Sequence, residues 1–145
     1  MTSTSDIEQL FGTMLQLGKL MSQQAQETHE EKAATMLQFL TLQSLKERPN
    51  GTVTDLCNFL NLSKSSATQL IERLVKSDLV QRVDDPQDRR IIRLSITKSG
   101  EKESVALKKK LMDKMLKIFS KVPAKDLREL IRIHTNLIET LKGEH

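Results

Sequence analysis

The segment from Ser63 to Leu74 carries the side chains best suited to bind a partner. Its apolar residues have the spacing of one buried helix face, and they are Ala67, Leu70, Ile71 and Leu74. The opposite face presents hydroxyl, amide and cationic groups, which can hydrogen-bond to base edges in a DNA major groove. The candidate residues on that face are Lys64, Ser65, Ser66, Thr68, Gln69 and Arg73.

These polar side chains differ in the bases that they suit. Glutamine pairs well with adenine and arginine with guanine, whereas serine and threonine are less selective. Ser66 has an alternative role at the start of the helix, because Ser63 is a good N-cap residue for it. The sequence leaves open which residue contacts which base, and a solvated polar face is the alternative for the whole set.

A second charged group lies in the turn from Asp84 to Arg90, between β-rich stretches at residues 79–84 and 91–97. Arg90 is predicted at the tip, because a guanidinium that enters a narrow minor groove meets an enhanced negative potential. Asp88 is expected to orient an arginine through a two-bond pair, and Arg89 to contact a backbone phosphate. A solvated charged turn is the alternative.

Two short helices must position the first group of candidates. Pro49-Asn50-Gly51 breaks the chain after a helix predicted over 32–47. Thr52 and Asp55 have the spacing of a capping box that starts a helix over 53–60. Asn61-Leu62 then forms a tight turn before Ser63 begins the next helix, and two helices so joined predict a helix-turn-helix. In the strand that follows the charged turn, Ile92, Leu94 and Ile96 alternate with polar residues, which predicts one buried face.

The two ends of the chain predict long amphipathic helices. The first covers 6–27, with apolar residues at Ile7, Leu10, Phe11, Met14, Leu17, Met21 and Ala25. Another runs from Thr97 to Lys121, with Val105, Leu111, Met112, Met115, Leu116 and Phe119 on one side. The last begins near Pro123 and repeats Leu127, Leu130, Ile131, His134, Leu137, Ile138 and Leu141, close to a heptad seam. The predicted order is α-α-α-α-β-β-α-α.

These terminal helices carry more apolar surface than a small winged domain needs. Amphipathic helices of this kind usually pack on a partner, so we expect an intertwined homodimer. The alternative is that both ends cover the core of their own chain. The predicted fold is therefore mainly α with a small β-hairpin, a winged helix-turn-helix flanked by N- and C-terminal dimerisation helices.

Composition narrows the function classes. The net charge is only +4, but residues 98–121 hold eight lysines against three acidic residues, which suits a polyanion, although a solvated lysine-rich helix is the alternative. One cysteine allows no internal disulfide, and neither a signal peptide nor an apolar span is evident, so we expect a cytoplasmic protein. No CxxC pair, Walker loop, GxGxxG or nucleophile–base pairing is found, so we expect neither an enzyme nor a cofactor or metal site.

The helix from Ser63 and the hairpin after it together make the chain resemble the MarR family of transcription regulators. The resemblance is most specific over residues 52–100. The matching features are the Leu56-Cys57 pair, the helix from Ser63 to Leu74, the strand Leu79-Val80-Gln81-Arg82, the wing residues Asp85, Asp88 and Arg90, the strand Ile91 to Ile96, and the exit Ile96-Thr97-Lys98-Ser99-Gly100. Asp78 stands where the family often has glycine, and a left-handed residue is expected there. Cys57 replaces a small alanine, which favours a packing role.

The resemblance implies a dimeric repressor or activator that binds a pseudo-palindrome of double-stranded DNA. It implies a single domain over 1–145, with dimerisation helices at 1–31 and 101–145 and the winged helix-turn-helix at 32–100. A small phenolic or aromatic effector, or an oxidant, commonly tunes DNA affinity in such proteins. Candidate pocket residues are Phe11, Met14, Met36 and Phe39, for which ordinary core is the alternative.

Two further alternatives remain open at this level. Cys57 is a candidate oxidant sensor, although its place on the apolar side of a short helix favours an inert buried thiol. The chain is alternatively a winged domain that no longer binds DNA and serves as a protein-interaction module. Salt-dependent binding to duplex DNA would distinguish the two functions, because phosphate contacts release counterions.

Overall fold

The computed structural model describes residues 2–24 and 29–143, and these form six helices and two strands in the predicted order plus one short strand. The elements are α1 (Thr4–Gln24), α2 (His29–Glu47), β1 (Gly51–Thr52), α3 (Val53–Leu60), α4 (Lys64–Lys76), β2 (Val80–Asp84), β3 (Ile92–Ile96), α5 (Lys98–Phe119) and α6 (Ala124–Gly143). The mainly helical fold with a small antiparallel sheet is confirmed. The predicted end of the first helix, with Ala25, lies outside the described residues.

Two compact units make up the chain, residues 1–110 and residues 111–145, and the boundary falls inside α5. The first unit contains the hydrophobic core. Its buried members come from α2, α3, α4, both long strands and the first half of α5, and they are Leu42, Leu45, Leu56, Leu70, Ile71, Leu74, Val80, Leu94 and Leu107. The spacing that predicted a buried face on α4 is thus confirmed by burial.

The sheet holds one strand that sequence patterning did not predict. β1 has two residues and pairs antiparallel with β3, so the strand order is β1-β3-β2. A pair of residues is too short for any periodic signal, and only the approach of β3 gives Gly51 and Thr52 their partners, Leu94 and Arg93. The wing hairpin is therefore anchored on both sides of β3.

Burial along the hairpin is uneven. Val80 and Leu94 are buried near its base. By contrast, Ile92 on β3 is 44% exposed and Val83 on β2 is 40% exposed. The expectation that Ile92, Leu94 and Ile96 share one buried face is therefore wrong for Ile92. The hairpin extends beyond the core at that point, and apolar packing fixes only its base.

The junction from α4 through β2 and β3 to α5 depends on a close backbone approach. Asp78 has the predicted left-handed backbone, with φ at 58°, and its carbonyl accepts a 2.6 Å hydrogen bond from Thr97 Oγ1. Thr97 Oγ1 also accepts from the Gly100 N–H at 2.9 Å. A Cβ added to Gly100 would lie 2.1 Å from the Leu79 carbonyl oxygen, so only glycine fits there without a shift.

The terminal helices leave most apolar side chains uncovered by their own chain. In α5 the buried residues are Gly100, Ser104 and Leu107, whereas Val105, Met112, Met115 and Leu116 of the predicted apolar side are exposed. No residue of α6 is buried. On α1, seven large apolar residues are exposed, namely Ile7, Leu10, Phe11, Met14, Leu15, Leu17 and Leu20.

We expect Gly100→Ala to lower the free energy of unfolding by about 1–3 kcal/mol, because the added methyl group overpacks a close contact with the Leu79 backbone. Urea unfolding followed by circular dichroism measures the change. Gly143→Ala is the matched control, since nothing lies within 4 Å of an added Cβ there. Equal stability of both variants and the wild type would contradict this account of the junction.

Candidate nucleic-acid interface

The α3–α4 turn is built from local hydrogen bonds that the sequence encodes. The predicted capping box forms, with Thr52 N–H donating to Asp55 Oδ2 at 2.8 Å and Asp55 N–H donating to Thr52 Oγ1 at 3.1 Å. Asn61 ends α3 in the left-handed conformation, with φ at 52°. Ser63 then caps α4 by accepting from the Ser66 N–H at 3.1 Å. These bonds determine where α4 begins, and the burial of its apolar face determines its rotation.

The predicted recognition face of α4 points away from the core. Lys64, Ser65, Gln69 and Arg73 are exposed. Ser66 is also exposed, but its Oγ accepts a 2.9 Å hydrogen bond from Ser63 Oγ, so it serves the helix start as well. Thr68 is half-buried and donates to the Lys64 carbonyl at 2.7 Å.

Sequence reasoning missed Glu72 on this helix. It lies three residues after Gln69, which places both on neighbouring turns of one face, and it is exposed. It also lines an open groove of about 590 Å³ together with Gln69, Arg73 and the apolar Leu37 of α2. A carboxylate is repelled by phosphates but can accept a hydrogen bond from cytosine N4, so its chemistry differs from that of the other candidates. The i, i+3 spacing from Gln69 was the available signal.

At the wing tip, Asp88 and Arg90 form the two-bond pair that the sequence predicted. Arg90 Nε lies 3.1 Å from Asp88 Oδ1, and Nη2 lies 3.0 Å from Oδ2. The Arg90 side chain remains 91% exposed. The bond from Arg90 lowers the pKa of Asp88 and in turn raises the pKa of Arg90, so the pair is held ionised. Arg89 is exposed beside it.

Asp85 and Arg93 form a second ion pair, which sequence reasoning did not identify. Arg93 Nε donates to Asp85 Oδ2 at 2.6 Å, and Arg93 Nη1 donates to the Asn50 carbonyl at 2.9 Å. Asp85 Oδ1 also accepts from the backbone N–H groups of Gln87 and Asp88. The Asp85 carboxylate thus shapes the wing turn, and Arg93 ties this carboxylate to the backbone of Asn50, which lies 43 positions before Arg93.

The other predicted residues lie apart from this surface. Phe11 and Met14 are exposed on α1, Met36 is exposed on α2, and Phe39 packs against the core cluster. Neither the groove beside α4 nor a second groove of about 660 Å³ near Asn50, Phe59 and Arg93 includes any of these four. Their role as an effector pocket stays a prediction. Cys57 is half-buried and is a free thiol.

The described ranges 2–24 and 29–143 contain neither a helix that could span a membrane nor a cluster that could hold a metal ion. None of the helices there has the length and apolar character needed to cross a membrane. No cluster of three or more His, Cys, Asp or Glu side chains in those ranges is placed to hold a metal ion.

Comparison with known proteins points to one family of regulators. The sequence model of the MarR family matches residues 34–92. Three relatives come from Bacillus subtilis strain 168. YsmB, an uncharacterized HTH-type transcriptional regulator, is 35% identical over 98 residues, covering 68% of this chain and 65% of its own length. YpoP, named in the same way, is 30% identical over 83% of this chain and 87% of its own. The HTH-type transcriptional repressor MdtR is 30% identical over 62% of this chain and 60% of its own.

Solved structures show the same fold. A MarR family protein from Bacillus stearothermophilus superposes with a TM-score of 0.75 over 98% of this chain and 99% of that one, at 19% identity. The PcaV transcriptional regulator from Streptomyces coelicolor, in complex with its natural ligand, superposes with a TM-score of 0.62 over 96% and 98% of the two chains, at 17% identity. At such identities the likeness concerns the fold.

The ion pair of the wing makes part of the stability pH-dependent. The hydrogen bond from Arg93, followed by those from the Gln87 and Asp88 N–H groups, lowers the pKa of Asp85. In the unfolded chain the pKa of an aspartate is about 3.9. Because the pKa of Asp85 is lower in the folded state, the stabilisation is fully present above the pKa of the unfolded chain. It is lost as the pH falls through the folded-state pKa.

We therefore expect Asp85→Asn to show a smaller fall in the free energy of unfolding than the wild type when the pH is lowered from 7 to below 4. Urea unfolding at a series of pH values measures the two slopes. Asp84→Asn, at the exposed neighbouring carboxylate, is the control and should keep the wild-type slope. Equal acid sensitivity in the Asp85→Asn variant and the wild type would contradict the role of this carboxylate.

Proposed function

Since the chain belongs to the MarR family of HTH-type transcriptional regulators, we propose that it is a repressor that binds a pseudo-palindromic DNA operator as a homodimer. In this proposal α4 enters the major groove, and the wing tip lies beside it in the minor groove. Such a regulator works on chromosomal DNA, so a cytoplasmic location is part of the proposal. No enzymatic reaction is proposed.

One observation carries the DNA-binding proposal. A capped helix buries one face in the core and leaves the polar groups of Lys64, Ser65, Gln69 and Arg73 exposed, while the same unit extends a hairpin whose tip arginine is 91% exposed. A merely solvated surface has no need for a carboxylate that orients Arg90 through two hydrogen bonds. We propose that Arg90 reads the minor groove, with Arg89 on a neighbouring phosphate.

The exposed apolar residues of the terminal helices support the homodimer. The stripe on α6 leaves Ile131, Leu137 and Leu141 each more than half exposed, and α1 exposes residues of the same kind. A second copy of the chain would remove these faces from water. Two wings and two recognition helices would then meet half-sites about 34–36 Å apart, one turn of DNA.

The proposals of repression and of effector control are based on similarity to two relatives. The name of MdtR describes a repressor, and the PcaV structure holds a natural ligand. By analogy we propose that a small aromatic or phenolic effector releases this protein from DNA, with Phe11, Met14, Met36 and Phe39 as the candidate pocket. The chain contains neither Trp nor Tyr, so Phe rings and flexible Met side chains would contact such a ligand.

Selection of bound duplexes from a random DNA library tests the proposal. We expect the wild type to enrich one palindromic site with half-sites a helical turn apart. For that site, Arg90→Ala should weaken binding about tenfold to a hundredfold at matched salt, because a base-reading arginine is lost. Fluorescence anisotropy measures the dissociation constants.

Arg132→Ala is the matched control for charge. Arg132 is an exposed arginine of α6 that pairs with Glu129, and its loss should leave operator affinity within about twofold. Failure of the wild type to bind any duplex in a salt-dependent way would favour the alternative function, a winged protein-interaction module. Binding with unchanged affinity in Arg90→Ala would refute only the assignment of the wing tip.

The homodimer gives a separate prediction. Leu137→Asp places a charge in the apolar stripe of α6, so we expect the dimer to dissociate at protein concentrations where the wild type remains dimeric. Analytical ultracentrifugation measures the mass. Asn136→Asp puts the same charge on the opposite face of the helix and should remain dimeric. A wild-type mass equal to one chain at every concentration would disprove the dimer.

A further inference from the structure

The outer half of the wing has little apolar support. Val80 and Leu94 are buried at the base of the hairpin, but Val83 and Ile92 are exposed, and the turn beyond them is polar. The turn itself is closed by two backbone bonds between Asp85 and Ile91 and between Ile91 and Asp88. These bonds shape the turn but do not tie it to the body of the domain.

Arg93 connects the wing turn to the body of the domain. Its guanidinium bridges Asp85 in the wing turn, at 2.6 Å, and the Asn50 carbonyl at the end of the α2–β1 connection, at 2.9 Å. The Asp85 side chain is only 10% exposed and that of Arg93 is 35% exposed. The pair is therefore sheltered compared with the Asp88–Arg90 pair, which makes its geometry less subject to competition from water.

Both ends of this bridge are themselves constrained. Asn50 is held in the left-handed conformation, with φ at 64°, directly before the two residues of β1 that pair with β3. Asp85 uses its second carboxylate oxygen to accept from the Gln87 and Asp88 N–H groups, and Asp88 in turn holds Arg90. A chain of hydrogen bonds thus runs from Asn50 through Arg93, Asp85 and Asp88 to the tip arginine.

We propose that Arg93 is a positioning residue, whose bridge between Asp85 and Asn50 sets the direction of the wing and so places Arg90 in the DNA minor groove. Arg93 acts through Arg90 and does not itself contact DNA. A guanidinium is needed because its planar fork donates to Asp85 from Nε and to the Asn50 carbonyl from Nη1, whereas the three N–H donors of an ammonium all extend from one atom. The inference rests on the proposed function, since it assigns a role in DNA binding.

Hydrogen exchange in the DNA-free protein tests the bridge by itself. The amides of Asp85 and Ile91 close the wing turn, and we expect both to exchange faster in Arg93→Met and Arg93→Lys than in the wild type. The amide of Leu70, in the buried face of α4, should exchange at the wild-type rate if the domain is still folded. Unchanged exchange at Asp85 and Ile91 would overturn the proposal.

A double-mutant cycle with the selected operator tests positioning. Arg93→Lys keeps the charge but loses the fork, so we expect it to weaken binding nearly as much as Arg90→Ala does, about tenfold or more. In the Arg90→Ala background, Arg93→Lys should change affinity by less than about twofold, because the guanidinium that Arg93 positions is already absent.

Arg82→Lys is the matched control on the neighbouring strand. Arg82 is an exposed arginine opposite Leu94 on β2, and its replacement should have the same effect with or without Arg90. If the losses from Arg93→Lys and Arg90→Ala multiply, or if Arg93→Lys retains full affinity, then Arg93 is an ordinary phosphate contact and the proposal is wrong. Faster wing exchange in a protein that binds no DNA would instead refute the proposed function and leave the bridge intact.

Discussion

Burial of the apolar face of α4 is the interaction on which the rest of the structure depends. Ala67, Leu70, Ile71 and Leu74 are buried, three of them in one cluster with apolar side chains of α2, α3, the two long strands and the first half of α5. Area burial of this kind is the largest favourable contribution to folding. The same burial decides which side chains of α4 remain outside. The candidate DNA-binding face is thus a consequence of core packing, because a helix that cannot rotate presents one fixed set of polar groups.

The wing is positioned in a different way. Val80 and Leu94 at its base are part of the core, but its tip extends beyond the apolar contacts. Polar interactions must therefore hold the tip in position. Asp85 and Asp88 are acidic residues in a loop that we propose to approach phosphates, which is unfavourable unless each is neutralised. Each carboxylate pairs with an arginine, so the acidic residues become structural supports for cationic groups. The negative charge of the wing is therefore offset locally.

Connections between secondary structure elements rely on residues with special backbone properties. Asn50, Asn61 and Asp78 adopt left-handed conformations, which polar residues with short side chains tolerate better than most. Gly100 is needed for another reason, because the Leu79 carbonyl oxygen occupies the space of a side chain. The glycine of the exit motif thus reflects the packing of α5 against the end of the α4–β2 connection, and it involves no unusual backbone angle.

The amino-acid sequence by itself determined the helices, the two long strands, both helix caps, the Asp88–Arg90 pair and the exposed face of α4. These features depend on hydrogen bonds between residues two to four positions apart or on the period of a helix or strand, so they are visible in a single segment. Only the tertiary structure decided the existence of β1, the exposure of Ile92, the need for Gly100 and the bridge from Asp85 through Arg93 to Asn50. The partners in β1 and in the bridge lie about 40 residues apart along the chain, and no local pattern specifies which distant backbone groups the folded core will bring together.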